Sequence, residues 1–127
     1  MMTALTLRSR RNGDEIRLIH LLAALGEILN RYQWKVGDDI ELSPGPDADK
    51  FYGLPNDEFI SGQRLITLAS PTAQVLDGSI LGVSFANRDD RILLRAVRGS
   101  WWDVESQDEN VIGAINRAFP EAEALPS

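Results

Sequence analysis

The sequence predicts an α+β fold: a small antiparallel sheet with a central hairpin, packed by about three helices, in one domain over residues 1–127. Three observations predict it. Two apolar runs, "ILGVSFA" and "RILLRAV", flank the polar turn "NRDD", which is hairpin patterning. Apolar residues recur at helical spacing from Gly13 to Tyr32 and again from Val111 to Phe119. The chain has 127 residues, 43% apolar and 25% charged, enough to bury one core without cross-links.

In chain order, "TALTLR" alternates and reads as a first strand. Asn12 followed by Glu15 resembles a capping box for a helix from Gly13 to Tyr32. Its apolar positions are Ile16, Ile19, Ala23, Leu25 or Gly26, Leu29 and Tyr32. "WKVGDDIELS" suggests one or two short strands around Asp38 and Asp39. "PGPDADKFYGLPND", with its prolines and glycines, reads as a long surface loop. In "SGQRLITLASPTAQVLDG" the period of Leu65, Leu68 or Ala69, Thr72 and Leu76 favours a helix, with Pro71 kinking it or starting a second short one capped by Ser70, and Gly78 just past its end. A strand followed by a turn at Asp77-Gly78 is the competing reading.

In the hairpin, setting Ala86 opposite Arg91 puts Phe85 opposite Ile92, Val83 opposite Leu94 and Leu81 opposite Ala96. One face is then wholly apolar. Carrying the second strand on through Gly99 and Ser100 in the same phase sends Trp102 and Val104 inward. Trp101, Asp103 and Glu105 go to the other face. Ser106, with Glu109 three residues on, caps a last helix whose stripe is Val111 or Ile112, Ile115 and Phe119. "EAEALPS" reads as a frayed tail.

Composition narrows function mainly by exclusion. Nineteen acids against 13 bases give a net charge of −6, and the stretch from Gly99 onward carries six acids and one base. Arg8, Arg10 and Arg11 crowd the other end. Nucleic-acid partners reward basic surfaces, so none is expected. The chain has no cysteine, which excludes disulfides, thiol nucleophiles and cysteine–zinc sites. No apolar run approaches the ~20 residues of a membrane span. The first residues place charge after the apolar part, the reverse of a signal peptide, so a cytoplasmic location is expected.

No catalytic constellation emerges, and no enzyme activity, cofactor or metal is expected. "GVSFA" falls one glycine short of a nucleophile elbow, and Ser84 stands in a hairpin strand. His20, the single histidine, sits in an apolar helix where a packed neutral ring is the usual case. Asp47 to Glu58 places acids at calcium-loop positions one, three and twelve, but Phe51 and Tyr52 occupy positions five and six. Adjacent acids on a strand point to opposite faces and make poor acid–base dyads.

What remains is Trp101. A helix over its face would make it core. Left uncovered, a tryptophan ringed by carboxylates has the composition of a binding hot spot. The candidate contact residues are therefore Trp101, Asp103 and Glu105, with Asp47, Asp49, Asp57 and Glu58 as a second acidic surface. The stretch "QVLDGSILGV…RILLRAVRGSWWDVESQDENVIGAINRAF" resembles bacterial immunity proteins of contact-dependent growth inhibition and related polymorphic toxin systems. That resemblance implies no catalysis, a cytoplasmic location and one tight partner, the cognate toxin domain, often a basic nuclease. Its rivals are an assembly domain that dimerises through the Trp101 face, and a small-molecule binder with His20 in a pocket between the first helix and the sheet.

Overall fold

In the computed structural model, which describes residues 2–11, 14–54, 58–69 and 74–125, four helices pack on an open eight-stranded antiparallel sheet. The chain begins with β1 (Thr3–Arg8), and the pair β2 (Arg10–Arg11) and β3 (Asp14–Glu15) forms a separate ribbon. Next come α1 (Leu18–Leu25), a 3-10 segment (Gly26–Arg31), β4 (Tyr32–Val36), β5 (Glu41–Leu42) and α2 (Pro46–Tyr52). β6 (Ile60–Ser61), α3 (Gly62–Leu68), β7 (Val75–Ser84) and β8 (Arg91–Val97) follow. The chain ends with β9 (Trp101–Ser106), α4 (Glu109–Ala118) and β10 (Glu123–Ala124). The strand order is β10-β1-β9-β8-β7-β4-β6, with β5 on β7. No helix among the described residues is long and apolar enough to cross a membrane.

Even-numbered residues of β4, β8 and β9 point to the helices: Tyr32, Trp34 and Val36, then Ile92, Leu94 and Ala96, then Trp102 and Val104. They join Leu18, Leu21, Leu22 and Leu25 of α1 and Val111 and Ile115 of α4 in one core. The α1 set falls at i, i+3, i+4 and i+7, and each buried leucine contributes about 2 kcal/mol. Two buried indoles fix the chain on either side of α1. Trp102 Nε1 donates to the Ile16 carbonyl at 3.0 Å, and Trp34 Nε1 donates to the Leu29 carbonyl at 3.0 Å.

The long first helix is corrected. It begins at Leu18 and stops at Gly26, whose φ of 58° suits glycine rather than a helical continuation. The apolar period runs on to Tyr32 because the 3-10 segment and β4 also face the core. Asn12 lies outside the described residues. Glu15 is not a cap: its carboxylate accepts from Arg17 and from Gln74. The N-cap of α1 is Arg17, and His20 reaches back to it from the first turn, its Nδ1 accepting the Arg17 backbone N–H at 2.8 Å.

The long loop reading also fails in part, since 46–52 is α2, started by Pro46 at its first turn and seated by Ala48 and Phe51. The segment after β6 is helical only as α3, capped by Ser61 Oγ at 3.1 Å from Arg64 N. Ser70 and Pro71 lie outside the described residues, and by Val75 the chain is already in β7, so Gly78 is a strand residue. "EAEAL" is not a frayed tail, because Glu123–Ala124 pairs with β1.

The hairpin exists with a different register. Gly82 opposes Ile92, Ile80 opposes Leu94 and Gly78 opposes Ala96. This turns β7 over: Ile80 is core, Leu81 is half-buried and Phe85 is exposed. The connection spans 85–90, longer than "NRDD", and Ser84 Oγ accepts from the N–H groups of Ala86 and Asn87 inside it. The indole of Trp34 explains the inward glycine. A Cβ at Gly82 would lie 2.9 Å from that ring, so only glycine fits beneath it.

β8 and β9 are not one strand. The chain reverses at Arg98, Gly99 and Ser100, with φ of 52° at Arg98 and 68° at Gly99. Val97 then pairs with Trp101, so an odd residue meets an odd residue and the expected facing survives the reversal. The turn is tied down by Arg98 N donating to Asp77 Oδ1 at 2.9 Å and Gly99 N donating to the Leu76 carbonyl at 2.6 Å. The α4 cap is Asp108, not Ser106: Asp108 Oδ1 accepts from Asn110 N at 2.9 Å, while Ser106 Oγ accepts from Asp108 N.

Gly99→Val places a β-branched residue at φ 68° in this turn, and urea unfolding should show a loss of about 1–3 kcal/mol, while Ser100→Ala stays within about 0.5 kcal/mol.

Candidate protein-binding face

Odd-numbered residues of β4, β7, β8, β9 and β10 and even-numbered residues of β1 form the other face of the sheet, and none of the four helices lies over it. The registers arrange it in rows. Lys35, Leu81, Leu93, Glu105 and Ala4 stand side by side across β4, β7, β8, β9 and β1. Ser79, Arg95, Asp103, Thr6 and Glu123 form the next row, across β7, β8, β9, β1 and β10. Val97, Trp101 and Arg8 form the third.

Trp101 is 39% exposed, against 2% for Trp102. It is the outward residue of the two because β9 alternates, and no helix covers it. The Arg8 guanidinium lies 5.1 Å from the centre of its ring, a cation–π contact. Asp103 and Glu105 are half-buried beside it. Among the described residues neither carboxylate has a hydrogen bond or an ion pair. The indole, the two acids and the half-buried Leu81, Leu93 and Val97 thus make one continuous surface, amphipathic and solvent-facing.

Charge on this face is divided. Arg91, Arg95 and Lys35 lie on β8 and β4, while Asp103, Glu105 and Glu123 lie on β9 and β10 with Arg8 of β1 as the base among them. The net acidity of the chain therefore does not come from here. Exposed Asp38, Asp39, Glu41, Asp49 and Glu58 supply much of it. Asp38 lies beside α2, where Val36, Ile40, Phe51, Tyr52 and Leu54 line a shallow groove with it.

The two sets of candidate residues are not one site. Asp49 is exposed on α2 and Glu58 is exposed just before β6. β6 stands four strand positions from β9, about 19 Å across a flat sheet. Asp47 belongs to α2, and Asp57 lies outside the described residues. What the sequence missed is Arg8. Its place on Trp101 depends on β1 pairing with β9 across more than 90 residues, and no local pattern announces that.

His20 is exposed rather than packed, and its Nδ1 serves the α1 cap. Among the described residues no group of three or more His, Asp or Glu side chains is placed to hold a metal. One internal polar cluster stands apart. The buried Tyr32 hydroxyl donates to Asp108 Oδ2 at 3.5 Å with Asp90 alongside, and Asp90 Oδ1 is buried without a hydrogen-bond partner. Burial first, then Asp90 and Asp108, push the Tyr32 phenol well above its ordinary ionisation range.

Trp101→Ala should change unfolding free energy by less than about 1 kcal/mol, while Trp102→Ala should cost about 3–5 kcal/mol in the same urea titration. The Tyr32 phenol stays neutral in the fold and ionises near pH 10 in the unfolded chain, so its contribution is complete below about pH 10 and is lost as pH rises beyond it. Unfolding midpoints should fall above that pH, and Tyr32→Phe should flatten the fall.

No protein-family model, no curated protein and no solved structure matches the chain, and what points to function is the uncovered face itself.

Proposed function

We propose that the chain is a non-catalytic protein-binding module that docks a partner protein on the open sheet face. The observation that carries this is Trp101, exposed on a central strand beside two carboxylates that have no partner among the described residues. A tryptophan held by a sheet loses little entropy on binding, which is what an interface anchor needs. Asp103 and Glu105 are the charge partners, and they sit on the acidic half of the face. The partner is a basic protein, and the module acts as an inhibitor of the immunity type, neutralising a cognate toxin domain in the cytoplasm. The net charge of −6 supports this by speeding encounter with a basic surface. The acids of the Asp47 to Glu58 segment form a second contact surface for the same partner. In such a complex a partner arginine or lysine takes the place over the indole that Arg8 holds in the free chain.

Co-expression with the product of each adjacent gene, followed by titration calorimetry, tests the reading. A one-to-one complex is expected, weakened about 30-fold or more by Trp101→Ala and made less salt-sensitive by Asp103→Asn with Glu105→Gln. No complex with any adjacent product would refute the reading, as would a complex indifferent to Trp101→Ala.

A further inference from the structure

We infer that in the absence of another partner the open face is covered by a second copy of this chain, in a two-fold dimer whose axis runs along the seam between β8 and β9. The inference rests on reading this face as a protein contact surface, and it names what fills it.

The charge pattern carries the argument. Bases lie on one side of the seam, at Arg91 and Arg95 on β8 and Lys35 on β4. Acids lie on the other, at Asp103 and Glu105 on β9 and Glu123 on β10, together with one base, Arg8 on β1, which rests on its own Trp101. A two-fold axis in the plane of the face and parallel to the strands exchanges the two sides while keeping each row opposite itself. Arg95 then meets the partner's Asp103, and by symmetry Asp103 meets the partner's Arg95. In the neighbouring row Val97 meets the partner's Trp101, and on the far side Leu81 meets the partner's Ala4. The charged pair at the seam, Arg95 with Asp103, is of opposite sign, the indole meets a valine, and Leu93 meets the partner's Glu105. Sheets stacked this way cross at about 30°, which blurs the outer strands more than the two at the axis.

Net charge points the same way. Two chains of charge −6 repel, and this face, with its signs nearly matched, is where they approach at least cost. The area suffices. Five strands at about 4.8 Å and a strand length of about 20 Å give each copy a face of roughly 500 Å², or about 1,000 Å² for the pair, the lower bound for a specific interface.

The experiment is analytical ultracentrifugation of the full chain at about 100 µM, far above the micromolar dissociation constants that such interfaces reach. The expected species has twice the 14.1 kDa chain mass. Arg95→Asp and Asp103→Arg should each weaken the dimer at least tenfold, and the double variant Arg95→Asp/Asp103→Arg should restore it, with circular dichroism confirming that each is folded. Hydroxyl-radical footprinting of the unaltered chain supplies an independent readout: protection of Leu81, Leu93 and Trp101 should grow with concentration. A monomer at that concentration overturns the inference, as does a dimer indifferent to all three variants or unprotected at Trp101. A monomer that still binds an adjacent-gene product through Trp101 overturns the dimer alone and leaves the protein-binding function standing.

Discussion

The reversal at Arg98, Gly99 and Ser100 is the constraint on which the rest depends. Side chains on a strand alternate with period two and opposed residues share a face, so the residue that the turn sets opposite Val97 decides which face β9 presents. That residue is Trp101, and a turn that set Trp102 there would invert the strand. The turn is held in that register by bonds from outside the hairpin, to Leu76 and Asp77 of β7, and by Ser9 N donating to the Ser100 carbonyl at 2.8 Å. Its consequence is a division of labour between adjacent tryptophans. Trp102 goes inward and fastens the start of α1, and Trp101 goes outward onto a face that no helix claims.

Rigidity and exposure are linked through that pair. An exposed aromatic on a mobile loop must be ordered before it binds, and the ordering weakens affinity. Trp101 is ordered beforehand, because Trp102 and Val104 on the same strand are sunk in the core and β1 and β8 flank it on either side. Arg8 completes the arrangement by resting on the ring, which limits the apolar surface shown to water in the free chain.

Much of this was legible in the sequence, and the failures have physical causes. The outward set Trp101, Asp103 and Glu105 was readable because alternation is local and the unforeseen reversal conserves it. The stripe of α4 was readable because helical period survives an error in the cap. The register of β7 was not, because choosing between Val83 and Gly82 as the inward residue requires knowing that Trp34 lies over the glycine. The length of the first helix was overread, since a 3-10 segment and a strand facing the same core extend its apolar period. Helix α2 was hidden by prolines that usually mark loops, although Pro46 stands where a helix tolerates it. The partition of charge across the open face rests on β1 and β4 pairing with distant strands, which no local pattern encodes.

Hydrogen exchange at the three indole N–H groups, followed by NMR on dilute protein, tests the facing of β9 most directly. Trp34 and Trp102, buried and donating to backbone carbonyls, should exchange only through opening of the fold, while Trp101 should exchange close to the rate of an unprotected indole. A protected Trp101 with a fast-exchanging Trp102 would mean that β9 faces the other way, and the contact surface would not exist.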